Sequence, residues 1–366
     1  MSKAFDLAGI DKILEAVAES GIGGSLLKWI EEYLNGRSQF VKILQSQSER
    51  YYVTSGVPQG SHLGPLFFVL LMNNLPLYIK NAFVLIYADD VKLFLPVKSV
   101  ADCEKLQCDL KAFSAFTSRC NLNINSDKCA VITFTKCSNP IAFQYELDAK
   151  AIARVTSIKD LGVQLDAGLT FNDHVNTIVS EGLTLYAVIK RFGSELDEPY
   201  TIKALYVSLV RSKMEFASVV WRPMYSVYIN KLEAVQKKFV TYAVRNLGWT
   251  EQLPEYKALC SLLDLDTLEN RHRIADITFF LKIQRGIYKS VYLSSRILPN
   301  RRTVTLRYRR PFIIENRTTN YHRNEPAHRF MREVNNFSRS VINLTMSIEV
   351  VKSKLSLFLR GQLYVV

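Results

Sequence analysis

Phe83-Val84-Leu85-Ile86-Tyr87-Ala88-Asp89-Asp90-Val91-Lys92-Leu93-Phe94-Leu95 is the stretch on which the reading of this chain turns. Phe83 to Tyr87 is a continuous apolar run of strand length and reads as a buried strand, while Val91, Leu93 and Leu95 alternate with Lys92 and Phe94 as a second strand does. Asp89 and Asp90 then fall in or beside the turn of a hairpin. Two adjacent carboxylates carry enough charge to hold a magnesium or manganese ion through oxygen, leaving coordination positions for phosphates and water. In a two-metal mechanism one ion activates the attacking oxygen and the other steadies the leaving group. Asp also favours turns, so a solvated turn is the competing account of the same dipeptide.

Upstream lies Ser55-Gly56-Val57-Pro58-Gln59-Gly60-Ser61-His62-Leu63-Gly64-Pro65-Leu66-Phe67-Phe68, a glycine-punctuated loop that runs into an apolar helix with Pro65 at its start. Gly56 and Gly60 allow a backbone to approach a ligand closely, and the amide of Gln59 both donates and accepts, as a sugar hydroxyl or base edge requires. A plain loop-to-helix connection is the alternative. Taken in order, the glycine loop and the Asp-Asp hairpin resemble motifs B and C of the reverse transcriptases, in particular those of non-LTR retrotransposons of the jockey type.

The resemblance extends over nearly the whole chain. Ser2-Lys3-Ala4-Phe5-Asp6 is similar to the tail of motif A, Leu122-Asn123-Ile124-Asn125 with Lys128 to motif D, and Ile158-Lys159-Asp160-Leu161-Gly162-Val163-Gln164-Leu165-Asp166 to the motif E hairpin. The stretch from Leu205-Tyr206 through Trp221 to Val235-Gln236-Lys237-Lys238-Phe239 resembles thumb and post-thumb helices. Asn320 to Pro326 resembles the closing region of insect jockey-like proteins.

The resemblance implies an α+β fold: a right-hand polymerase palm, an antiparallel sheet with helices on one face, over residues 1–170 with the fingers missing. Thumb helices would occupy residues 171–250 and a helical C-terminal extension residues 251–366. It implies RNA-directed DNA polymerase activity with an RNA template, a DNA primer and deoxynucleoside triphosphates as partners and Mg²⁺ (or Mn²⁺) as cofactor. Asp89 and Asp90 would be catalytic metal ligands, and Phe5 the bulky group beneath the nucleotide sugar. Gln59 and Gly60 would lie near the bound nucleotide, with Lys128 as general acid or phosphate contact. An ordinary core aromatic and a solvated lysine are the plainer readings of Phe5 and Lys128.

One position departs from the family pattern. In register, the first aspartate of motif A would stand one position before Met1, so the resemblance implies a chain truncated inside motif A. Asp6 is the nearest carboxylate and reads as a helix N-cap, with Leu7, Ile10, Leu14 and Val17 following at helical spacing. A chain without that metal-bridging carboxylate is expected to polymerise poorly or not at all, since several kcal/mol of lost stabilisation correspond to roughly 10³- to 10⁴-fold in rate. A catalytically silent nucleic-acid-binding remnant is the alternative function.

Composition bounds the rest. The chain has 366 residues, 48% of them hydrophobic, and a formal net charge of +13, with an isoelectric point near 9.4. Length and apolar content suit two or three globular domains, and the charge favours a polyanion, because Lys and Arg release condensed counterions on neutralising phosphates. The densest basic stretch, Arg301, Arg302, Arg307, Arg309 and Arg310 around Tyr308, combines phosphate grip with a stacking ring and is the candidate nucleic-acid contact; a solvated loop is the alternative. Six cysteines without paired metal-ligand spacing indicate neither a zinc site nor a disulfide framework. The longest apolar stretch, Leu66 to Met72, is far shorter than a bilayer span, and no signal segment is visible, so a soluble intracellular protein of the nucleus or a cytoplasmic ribonucleoprotein is expected.

Along the chain, helices are expected from about Asp6 to Glu19, from Ser25 to Asn35 and from Asp102 to Cys120. Strands are expected at Gln39–Leu44, Tyr51–Thr54 and Ala130–Phe134. Helices packed on one side of an antiparallel sheet would form an α+β layer. From about Asn172 onward helical patterns take over, including Tyr228 to Arg245.

Overall fold

The helix expected from Asp6 to Glu19 is broken in two in the computed structural model: α1 spans Ala4–Leu7 and α2 Ile10–Glu19. Tertiary hydrogen bonds cause the break. The Ala8 carbonyl accepts the Gly56 N–H at 2.8 Å and the Gly9 N–H donates to the Cys120 carbonyl at 3.0 Å, so the backbone groups that would continue the helix serve other segments. Asp6 therefore lies inside a single helical turn and caps nothing, while α2 starts after an extended Gly9. Residues 1, 3–193, 199–300, 310–316, 318–337, 342 and 346–361 are described. They fall into two units, Met1–Ile158 and Lys159–Val366.

In the first unit, Ile10, Ile13, Ala16 and Val17 form the buried face of α2, which packs against α3 (Gly24–Leu34) and α4 (Leu63–Met72). The helix α4 brings Phe67, Phe68, Leu71 and Met72 into the same core, with Pro65 in its first turn. The helix α5 (Val100–Arg119) begins at a capping box between Ser99 and Asp102 and adds Cys103, Phe113 and Phe116 to the core.

Strands in the described residues form six two-stranded ladders, not one continuous antiparallel sheet. The two strands expected between Gln39 and Thr54 appear as β1 (Ser38–Gln39), β2 (Lys42–Ile43), β3 (Ser46–Gln47) and β4 (Tyr51–Tyr52), with β1 paired to β4 and β2 to β3. All eight residues are exposed, so no core face sustains a longer ladder. The hairpin β5 (Phe83–Tyr87) and β6 (Asp90–Phe94) follows. The strand β7 (Ala130–Ile132) stops short of Phe134. After the hairpin of β8 (Glu146–Leu147) and β9 (Lys150–Ala151), β10 (Ala153–Val155) returns to pair with β7 in parallel. The strands β11 (Ser157–Asp160) and β12 (Val163–Asp166) form the hairpin expected at motif E, turning at Leu161-Gly162 with both residues at positive φ.

The second unit is helical from α6 (Asn172–Gly193) onward, with long helices at Ser226–Asn246, Leu268–Gln284 and Ile348–Leu359. One apolar cluster gathers around Tyr206, Trp221 and Phe239, and another around Phe280 and Phe330. Charge divides unevenly between the units. Residues 1–158 hold 16 basic and 15 acidic side chains, residues 159–366 hold 31 and 19, so +12 of the net +13 belongs to the second.

Candidate active site at the Asp89-Asp90 hairpin

Register fixes the paired carboxylates at a hairpin tip. The strands β5 and β6 run antiparallel from Phe83 opposite Phe94 to Tyr87 opposite Asp90, which leaves Ala88 and Asp89 as the turn. Ala88 takes φ 51°, and Asp90 opens β6. The strand β5 is not buried as its apolar run suggested: Phe83, Leu85 and Tyr87 are 59%, 54% and 66% exposed. Val84 and Ile86, with Val91 and Leu93 from β6, are the residues that pack on the core. A strand with helices on one side alone alternates in this way whatever its composition.

The first residues of the chain run from this tip to the glycine loop. The Met1 amino group donates to the Asp89 carbonyl at 3.1 Å and lies 3.9 Å from Asp89 Oδ2. Four residues on, the Phe5 carbonyl accepts the Val57 N–H at 2.8 Å. The half-buried Phe5 ring stacks on Phe68 with centroids 4.4 Å apart. Gln59 Nε2 donates to Asp6 Oδ1 at 2.6 Å. Asp89, Phe5 and Gln59, singled out from separate motifs, are thus tied to one six-residue segment.

The two glycines act differently. Gly56 has φ 77°, and a Cβ there would lie 2.5 Å from the Asp6 carbonyl oxygen and 2.6 Å from that of Phe5. Its missing side chain admits the chain's own backbone. Gly60, at φ 80°, has no atom within 4 Å of a notional Cβ and leaves its backbone open. Lys128 is exposed on the 3-10 turn Ser126–Lys128, and no hydrogen bond or ion pair among the described residues joins it to Asp89, Asp90 or Gln59. Arg301, Arg302, Arg307 and Arg309 lie outside the described residues. Arg310 is exposed, its carbonyl accepting from the Asn300 side chain at 3.1 Å.

Three supporting residues escaped the sequence reading. Asp6 is the acceptor for Gln59. Arg37 joins the end of α3 to the glycine loop, donating to the Leu34 carbonyl at 2.9 Å and the Gly56 carbonyl at 2.7 Å. Asp109, 2% exposed on α5, accepts the backbone N–H groups of residues 80–82 just before β5. Burial pushes the Asp109 carboxyl up, but those donors outweigh it and hold the group below the usual aspartate range. Only Asp109 left a signal, a carboxylate among the apolar positions of an amphipathic helix.

As a donor set, Asp89 and Asp90 suit a hard divalent ion. Both offer oxygen and both reach solvent. No group of three or more His, Cys, Asp or Glu side chains is arranged to hold a metal among the described residues.

Comparison with known proteins bears on this geometry. The family model described as reverse transcriptase (RNA-dependent DNA polymerase) matches residues 1–165. The match takes in the glycine loop and the Asp89-Asp90 hairpin. The chain is similar to the RNA-directed DNA polymerase from mobile element jockey of Drosophila funebris, 25% identical over 61% of this chain and 25% of that protein. Its likeness to the jockey polymerase of Drosophila melanogaster is 29% over 41% of this chain and 17% of the relative. With the probable RNA-directed DNA polymerase from transposon X-element of that fly it shares 28% over 57% of this chain and 24% of the relative. The resemblance to non-LTR reverse transcriptases is therefore borne out, and the chain spans about a quarter or less of the length of these relatives. No helix among the described residues is long and apolar enough to cross a membrane.

Proposed function

We propose that this chain carries the palm of a non-LTR RNA-directed DNA polymerase, with the primer 3′-hydroxyl attacking the α-phosphate of a deoxynucleoside triphosphate and pyrophosphate leaving. Residues 1–170 are read as palm, 171–250 as thumb helices and 251–366 as a helical extension. The observation that carries the reading is the link between the Asp89-Asp90 tip and the glycine loop through residues 1–6. Asp89 and Asp90 would hold Mg²⁺ or Mn²⁺. Once bound, such ions neutralise phosphate charge and sharpen the attacking oxygen. Phe5, its ring backed by Phe68, presents a fixed edge beneath a sugar. Gly60 offers an uncovered backbone, and Gln59, held by Asp6, keeps its amide oxygen for a nucleotide. Lys128 would reach the triphosphate once template and primer are in place. The RNA template and DNA primer account for the excess positive charge of residues 159–366, to which Arg301, Arg302, Arg307, Arg309 and Arg310 contribute.

A second reading, a nucleic-acid-binding remnant without chemistry, is favoured by one observation: no third carboxylate clusters with Asp89 and Asp90 among the described residues. Primer extension on an RNA template with Mg²⁺ or Mn²⁺ separates the two. Incorporation that drops at least 10³-fold in Asp89→Ala supports the polymerase. Equal traces from both proteins, with template still bound, support the remnant.

A further inference from the structure

We infer that α5 is a two-point clamp on the Asp89-Asp90 hairpin, with Asp102 and Asp109 as its positioning residues. Asp109 holds the residues that lead directly into β5, and Asp102, through the capping box of α5, holds Lys98 and Ser99, the end of the short segment that follows β6. Ahead of β5, Asp109 accepts the backbone N–H of Lys80 at 3.1 Å, Asn81 at 2.9 Å and Ala82 at 2.6 Å, and the Asn81 side-chain amide at 3.2 Å. Beyond β6, Asp102 accepts the N–H of Lys98 and of Ser99, both at 3.1 Å, and the Ser99 hydroxyl at 3.0 Å.

The sequence separation makes the pair a unit. Seven residues are close to two helical turns, so Asp102 and Asp109 share one face of α5. The chain enters β5 directly from the residues held by Asp109, and four residues after β6 it reaches those held by Asp102. Between them the ladder is continuous from Phe83–Phe94 to Tyr87–Asp90, so the orientation of both feet sets that of the turn. Packing alone does not account for Asp109. A buried carboxylate costs more than a leucine there unless its lone pairs are used, and all its recorded partners belong to the three residues before β5. Metal ligands are held to productive geometry by such supporting groups, and the loss of one typically weakens metal binding 10- to 100-fold. The inference rests on the polymerase reading for the metal but not for the clamp.

Hydrogen exchange on the full chain compares the parent with Asp109→Asn and Asp102→Ala, and Mn²⁺ binding is followed in parallel by electron paramagnetic resonance. The clamp predicts at least about tenfold faster exchange over residues 80–87 in Asp109→Asn and over residues 90–99 in Asp102→Ala, with α2 unchanged, and Mn²⁺ binding about tenfold weaker in both. Unchanged exchange in both strands overturns the clamp. Faster exchange with undiminished Mn²⁺ affinity overturns the positioning role. Should Asp109→Asn fail to fold, Asp102→Ala, at a partly exposed position, decides by the same two readouts. A parent that binds no Mn²⁺ counts against the polymerase reading, and hydrogen exchange alone then decides the clamp.

Discussion

Gly56 and Gly60 share a motif and a left-handed backbone yet should respond differently to the same methyl group. Gly56→Ala sets a Cβ against two carbonyl oxygens of α1 and should cost about 3 kcal/mol or more, whereas Gly60→Ala meets open space and should cost only its conformational penalty, about 1 kcal/mol. Urea midpoints of the two variants measure this, and equal losses would refute the assignment of Gly56 to the α1 contact. The comparison also marks where single residues were legible. Asp89 and Asp90 could be placed at a turn because a turn is local. The partner of Gly56 lies about fifty positions away in sequence, and no local pattern encodes it. The same holds for Arg37, which reads as an ordinary polar residue at a helix end but supports the glycine loop.

Among the elements, the helix Leu268–Gln284 carries a pH-dependent weakness. His272 is fully enclosed, its Nε2 2.8 Å from the Met214 carbonyl and its ring 5.3 Å from Trp221. Burial lowers its pKa to about 4. The unfolded chain takes up this proton near pH 6.5 and the folded chain only near 4, so stability falls as pH drops through that window and levels off below it. Between pH 7 and 5 the loss should be roughly 2 kcal/mol, and His272→Gln should flatten the slope in thermal melts. An unchanged slope would exclude His272 as its source. Helical spacing announced α5 and the helix Ser226–Asn246 correctly because their apolar stripes repeat over many turns. It failed between α1 and α2, where Ala8 and Gly9 spend their backbone groups on Gly56 and Cys120. It failed also on β5, since an apolar run does not reveal whether one face or two will be covered.

For the whole chain, two units with separate apolar cores should melt in two steps. Calorimetry should find that Gly56→Ala lowers one transition and acid acting on His272 lowers the other; a single transition moved by both would contradict the division. Nucleic-acid binding should reside chiefly in residues 159–366, which hold +12 of the net charge, and should weaken about 10³-fold between about 50 and 200 mM salt in gel-shift titrations. A flat salt response would remove phosphate neutralisation as the basis of binding. Local chemistry alone settled which residues carry charge, which turn presents two carboxylates and where two of the long helices, Val100–Arg119 and Ser226–Asn246, run. Folding added what joins them: the segment from Met1 to Asp6 that links hairpin to loop, the ladders that stop after two residues, and the aspartates beneath the hairpin. Those contacts bridge residues far apart along the chain, and their free energy exists only once distant backbone groups have been brought within hydrogen-bonding reach.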